Sequence, residues 1–258
     1  MFEGKGRPLT ENGLGTARRA LGIDLPTLWA VMTVETRGCG FLPSRRPVIL
    51  FERHIFHQRT GGRFDARAPD LSNPRAGGYG ADDENQHTRL ARAVALDRHA
   101  ALESTSWGLG QVMGFNASIA GYRSVETMVR AMMLGEDSQL KAVTGYIQSE
   151  RLAALLKRRD WAGFAYRYNG PEYQRNRYDE RLALAHARFT AGPLPSLEVR
   201  AAQLYLSFLG YDPRGVDGWY GSNTQKAVQQ FQQAQGMAVT GRLDSATLTA
   251  LSRAARNA

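Results

Sequence analysis

The segment Thr190-Ala-Gly-Pro-Leu-Pro195 is the feature that most restricts how this chain can fold. Proline has no backbone N–H and its ring collides with the preceding helical turn, so neither Pro193 nor Pro195 can sit inside a continuing helix. Gly192 just before them is a natural helix terminator. Each proline also holds its predecessor extended, which makes 191–195 a short, stiff spacer. The 258 residues therefore divide into a module 1–190, a linker 191–195 and a module 196–258. That length accommodates one large domain or two of unequal size.

After the linker, Ser196 is placed to cap a new helix carrying Leu197, Ala201, Leu204 and Phe208 and ending at Gly210. A turn-rich stretch follows. Ser222 is expected to cap a second helix buried through Ala227, Val228, Phe231 and Ala234, and Asp244 a third bearing Thr247, Leu248 and Leu251. Two half-repeats are visible: Val216-Asp-Gly-Trp-Tyr-Gly-Ser-Asn-Thr-Gln-Lys-Ala-Val echoes Val239-Thr-Gly-Arg-Leu-Asp-Ser-Ala-Thr-Leu-Thr-Ala-Leu. In each, a glycine turn feeds a capped helix start, with Thr one turn in.

The larger module reads as mainly helical with one short extended segment. Leu25 to Thr36 places Leu28, Met32 and Glu35 on one helical face, flanked by Trp29 and Val31. A carboxylate at the end of an apolar stripe is a candidate general acid, because desolvation disfavours its charged form and raises its pKa. The bland alternatives are a surface Glu near a helix end, or one paired to Arg37. Pro47-Val-Ile-Leu-Phe-Glu-Arg53 reads as a strand whose period-2 alternation puts Val48, Leu50 and Glu52 on one side. Two carboxylates in unlike environments are what glycoside hydrolysis requires. Glu52 can equally form an ion pair with Arg53 or Arg46.

Arg59 to His87 is rich in Gly, Asp and Asn, a long loop of the kind that flanks a cleft. A helix is expected over Gln86 to Leu102. In Ser104-Thr-Ser-Trp-Gly-Leu-Gly-Gln-Val-Met-Gly114 the glycines allow backbone to approach a ligand closely, and Trp107 offers a sugar-stacking face. Amphipathic stretches then run through Val125–Leu134, Gln139–Leu156 and Trp161–Tyr168, before an aromatic-polar turn at Tyr166–Tyr173 and a last helix to Phe189.

These motifs carry a resemblance. Val34-Glu-Thr-Arg-Gly-Cys-Gly-Phe41, Ile49-Leu-Phe-Glu-Arg-His-Ile-Phe56, Ser106-Trp-Gly-Leu-Gly-Gln-Val-Met-Gly114 and Tyr168-Asn-Gly-Pro171 occur in that order over Leu9 to Phe189. Together they resemble the N-acetylmuramidase family of bacteriophage endolysins, and more loosely the soluble lytic transglycosylases and goose-type lysozymes. Val216-Asp-Gly218, Gly221, Thr224, Ala227-Val228, Phe231-Gln232, Gly236, Gly241 and Thr247 resemble the small three-helix peptidoglycan-binding domain. The resemblance implies a mainly α fold, lysozyme-like with a short β segment, followed by a three-helix bundle. It implies an enzyme hydrolysing the β-1,4 bond between N-acetylmuramic acid and N-acetylglucosamine to lyse a host cell, with a lytic transglycosylase as the rival and a non-catalytic wall binder or virion protein behind it. By position, Glu35 matches the catalytic acid, Ser106 and Gln111 the cleft motif, and Tyr168 and Asn169 the element that supports the glutamate and contacts substrate. Glu52 falls in the family's Phe-Glu segment as a candidate second carboxylate. The family's Ser-Gly after the glutamate is Thr36-Arg37 here, and an inward Arg37 lowers the pKa of the acid. Asp217, Trp219, Tyr220 and Arg242 are the exposed turn residues expected to bind the wall.

Charge is consistent with that substrate. Lys and Arg total 33 against 24 Asp and Glu, a net charge of +9 that favours an anionic partner such as a cell-envelope polymer. No basic tract interleaved with aromatics points to nucleic acid, no apolar run approaches the roughly 18 residues of a membrane span, and a monomer is expected. With Cys39 alone no intrachain disulfide can form. It also lacks a nearby base for nucleophilic work. His54-x-x-His57 lacks the spacing and Glu of a zinc-protease helix, so neither metal nor cofactor is expected. Met1-Phe-Glu-Gly-Lys-Gly-Arg-Pro8 has no secretory apolar core. The chain is thus expected to be made in the host cytoplasm and released to the wall by a holin.

Overall fold

A computed structural model describes residues 1–35, 38–80 and 84–257 of the chain. The larger module contains α1 (Glu11–Leu21), α2 (Leu25–Glu35), β1 (Ile49–Phe51), α3 (Arg53–Thr60), α4 (Glu84–Leu96), α5 (Arg98–Glu103), β2 (Thr105–Trp107) and β3 (Val112–Met113). It continues through α6 (Val125–Met132), α7 (Glu136–Ser149), α8 (Ala153–Arg158), α9 (Trp161–Asn169) and α10 (Tyr178–Ala191). After the prolines come α11 (Leu197–Phe208), α12 (Ser222–Ala234) and α13 (Ser245–Asn257). The fold is mainly helical with one small sheet, as the sequence predicts.

Helix α2 is the central pillar. Asp24 caps it by accepting from Thr27 N at 2.8 Å. Thr27 through Met32, and Val34 after Thr33, are buried, so α2 is enclosed on nearly all sides rather than bearing a single apolar stripe. It packs most extensively against α10. The sheet has order β1-β2-β3, all antiparallel, with Leu50 opposite Ser106 and Trp107 opposite Val112. Period-2 alternation holds: Ile49 and Phe51 enter the core, while Val48, Leu50 and Glu52 stay half-buried on the other side.

Three boundaries differ from expectation, the first being the stretch Gln139–Leu156, which is two helices, α7 and α8, broken after Ser149. The helix expected over Gln86–Leu102 is two helices, broken at Asp97, which accepts from Ala100 N at 3.0 Å and caps α5. At α12 the capping position is Gly221, and the Ser222 side chain makes no cap. Ser196 and Asp244 cap as expected, accepting from Val199 N at 3.3 Å and Thr247 N at 2.8 Å.

The half-repeats of the smaller module have a common physical origin in two buried glutamines. Gln203 on α11 donates to Asp217 Oδ1, Trp219 O and Thr224 Oγ1, and accepts from Asp217 N and Gly218 N. Gln232 on α12 repeats this, donating to Thr240 Oγ1, Arg242 O and Thr247 Oγ1 and accepting from Gly241 N. Each amide ties one glycine turn to the helix that follows it, so its polar atoms are satisfied in the core.

The proline linker does not hold the modules apart. Phe41 packs with Leu204, Val216 and Phe208 across the boundary, and Arg188 lies 5.0 Å from the Trp219 ring. Arg45 covers the Phe208 ring at 5.1 Å and bonds the Ala255 carbonyl.

Candidate active site

One face of the β1–β2–β3 sheet, the end of α2, the end of α9 and the start of α10 enclose a cleft of about 610 Å³. Its walls bring together Val34, Cys39, Val48, Leu50, Glu52, Ser106, Gln111, Tyr168, Asn169, Tyr178 and Arg181. This volume lies within the range of small-molecule and glycan sites, and the lining mixes hydroxyl, amide, carboxylate and aromatic groups suited to a polyhydroxylated ligand.

Ser106 and Gln111 form one unit. Ser106 Oγ donates to Gln111 Oε1 at 2.8 Å, and Gln111 Nε2 donates to Gly108 O at 2.8 Å and Val48 O at 3.2 Å. The tight β2–β3 connection forces Gln111 to φ 48°, a left-handed conformation rarely adopted by a side-chain-bearing residue. Gly110 is required here because an added Cβ would meet Val143 Cγ2 at 2.1 Å. From the facing wall, Tyr168 Oη donates to the Gly110 carbonyl at 3.1 Å while its ring stacks on Phe164. The Ser-Gln loop and the Tyr-Asn element are thereby locked together.

Glu52 follows β1 at the cap position of α3, without capping it. Burial raises its pKa above the ordinary carboxylate range. His54, the hydroxyl of Tyr79 and the charge of Arg89 oppose that shift. His54 Nδ1 lies 3.2 Å from Glu52 Oε2 without hydrogen-bond alignment. The ion pairs with Arg53 or Arg46 that sequence left open do not form: Arg46 pairs with Glu84, and Arg53 bonds the Arg75 and Ala76 carbonyls.

Glu35 is the last residue of α2, and its side chain, like Thr36 and Arg37, lies outside the described residues. The residues on either side of 35–37, Val34 and Gly38-Cys39, are described, and Val34 and Cys39 line the cleft. Burial, reinforced by the neighbouring Glu136 carboxylate, pushes the Cys39 thiol up, which makes it a poor nucleophile.

Trp107 requires a correction. Its ring is fully buried, edge-on to Phe2 at 5.3 Å, and its indole N–H donates to Leu102 O at 3.2 Å. It points to the face of β2 opposite Ser106 and offers no surface to a sugar. Of the exposed turn residues, Tyr220 and Arg242 lie on neighbouring turns joined by a hydrogen bond from Tyr220 Oη to Gly241 O. Asp217 is exposed but engaged with Gln203 and Trp219 N. Trp219 is turned against the larger module, beneath Arg188, and so departs from the exposed position expected of it. His57 pairs with Asp65 at 2.8 Å, away from His54, and among the described residues no three metal-ligating side chains converge.

Sequence reasoning missed Tyr79, Tyr178 and Arg181. Arg181 donates to Val34 O, at the last turn of α2, and lies 5.4 Å from the Tyr178 ring. Their spacing of three on one helix was available as a signal, but that α10 turns this face to the cleft was not.

The N-acetylmuramidase family model matches residues 24–190, and the model of a peptidoglycan binding domain matches residues 195–251. The chain is similar to the crystal structure of a Burkholderia AP3 phage endolysin, with 40% identity and a TM-score of 0.68 over 72% of this chain and 73% of that one. No curated protein matches the chain.

Proposed function

The chain belongs to the N-acetylmuramidase family, and on that premise we infer that it is a phage endolysin that hydrolyses the β-1,4 bond between N-acetylmuramic acid and N-acetylglucosamine and so lyses its host. The observation that carries this reading is the convergence of Glu52, Ser106, Gln111, Tyr168 and Asn169 on one cleft at the end of α2. In this reading Glu35 protonates the glycosidic oxygen as the bond to the leaving sugar breaks. Glu52 either takes a proton from the attacking water or stabilises the oxocarbenium-like sugar. Ser106 and Gln111 hold the sugar at the scissile bond, and Tyr168 and Asn169 support the glutamate from the opposite wall. We assign 1–190 to catalysis, 191–195 to the linker and 196–258 to wall attachment through Tyr220 and Arg242. The enzyme acts on the wall after release from the cytoplasm by a holin. Among the described residues no helix is long and apolar enough to cross a membrane.

Mass spectrometry of soluble fragments from purified peptidoglycan tests the reaction. Reducing muramic acid ends are expected. Fragments lighter by one water would replace hydrolysis with a transglycosylase reaction, in which the sugar's own hydroxyl displaces the leaving group and Glu35 serves as acid and base. No fragments at all would leave a non-catalytic wall binder.

A further inference from the structure

Beside the apolar packing of Phe41, a buried cation ties the smaller module to the cleft loops by hydrogen bonds. Arg200, on α11, is 3% exposed and donates to Gly38 O at 2.6 Å, Val216 O at 3.0 Å and Glu136 Oε1 at 2.8 Å. Glu136, fully buried at the start of α7, accepts in turn from Gly40 N at 3.0 Å and Leu9 N at 3.1 Å. Gln139, one turn on, donates to Gly40 O at 3.1 Å and accepts from the backbone N of Leu109, in the cleft loop, at 2.8 Å. A continuous hydrogen-bonded path therefore runs from the wall-binding module to both loops of the cleft, and it grips the backbone just after Glu35. Burying an ion pair carries a desolvation cost that apolar packing would avoid. An arginine whose fork spans two carbonyls and a carboxylate gives geometric definition in return.

We propose that Arg200 is a positioning residue for catalysis, by which the wall-binding module holds the 38–40 backbone, and with it the end of α2, in register with the Ser106–Gln111 loop. The smaller module then completes the active site as well as delivering it to the wall. This rests on the muramidase reading above.

Cys39 gives a direct readout, because this single thiol sits inside the gripped segment, half-buried and bonded to Phe41. The full-length chain is compared with Arg200→Lys, which keeps a charge against Glu136 but lacks the fork to reach both carbonyls. Arg200→Met on a Glu136→Gln background is a second variant that leaves no unpaired buried charge. Measured on each are the rate of Cys39 labelling by a disulfide reagent under native conditions, kcat and KM on soluble glycan fragments, cosedimentation with peptidoglycan, and the melting temperature. Arg200→Lys is expected to label about tenfold faster and to lose between about 10- and 100-fold in kcat, the range that a displacement near 1 Å costs. KM and cosedimentation stay at wild-type values. A lower kcat with unchanged labelling, faster labelling with unchanged kcat, or no change in either in folded variants overturns the proposal. Should one variant not fold, the other decides by the same readings. Failure of the muramidase reading shows separately, as a wild-type chain that cuts no glycan.

Discussion

Trp107→Ala separates a core role from a sugar-stacking role at one residue. The ring is fully buried, and an indole of this size removes roughly 150–250 Å² from water. Truncating such a side chain to Ala costs about 3–5 kcal/mol, including the cavity left behind. The lost bond from the indole N–H to Leu102 O accounts for about 1 kcal/mol of that, and the lost edge contact with Phe2 for roughly another. For a body of this size, each kcal/mol moves Tm by roughly 2–4 °C, so a fall of about 6–20 °C is expected by calorimetry. Trp107→Phe keeps most of the ring and loses the hydrogen bond, and is expected to fall by about 1–2 kcal/mol. Measured well below Tm, KM for soluble glycan should remain near wild type in both. A Tm within about 2 °C of wild type together with a sharply raised KM would refute the buried assignment and restore Trp107 as a sugar platform.

Other perturbations follow from the same geometry. Gly110→Ala drives a methyl against Val143 and to 3.3 Å from Tyr168 Oη; it is expected to cost about 1–3 kcal/mol by denaturant melting and to lower kcat by shifting Tyr168. Because burial holds the Glu52 pKa above its unfolded value, the wild type loses stability as pH rises from about 4.3 through the folded value. The melting advantage of Glu52→Gln should grow over that window and vanish below it, while the acidic limb of the kcat profile disappears if Glu52 is the base. Gln232→Leu strips partners from Gly241 N, Arg242 O and Thr247 and is expected to cost on the order of 2 kcal/mol or more, abolishing cosedimentation with peptidoglycan. Arg242→Ala should weaken that binding without changing Tm, and added salt should weaken it in wild type.

What sequence could reveal divides along physical lines. Local signals carried far: Ser196 and Asp244 cap as their types demand, and the Val48–Glu52 alternation puts Glu52 on the cleft side of its strand. Trp107 failed for an equally local reason. Ser106 and Trp107 are adjacent on a strand, so if one faces the cleft the other faces the core; the alternation that worked for Glu52, applied to β2, excludes Trp107. Trp219 departs from expectation for a non-local reason: the turn that carries it is covered by the larger module, beneath Arg188.

Trp219 and Arg200 show why packing between modules is invisible to periodicity. A helix pattern reports which face is apolar, not which neighbour covers it, and Arg200 on α11 reads as one more surface cation. Its true partner, Glu136, lies 64 positions upstream at the start of a helix, where an acidic residue is already explained by the helix dipole. Each member of the pair thus has a sufficient local explanation, and only their burial together exposes the one that counts. The prolines at 193 and 195 divide helices and main cores alike, yet a small apolar cluster crosses the break, with Phe41, Leu204 and Val216 buried against one another. A boundary in the sequence can therefore separate two cores without parting the modules, and Arg200, bonded to both Gly38 O and Glu136, is where the cleft draws support from the far side of it.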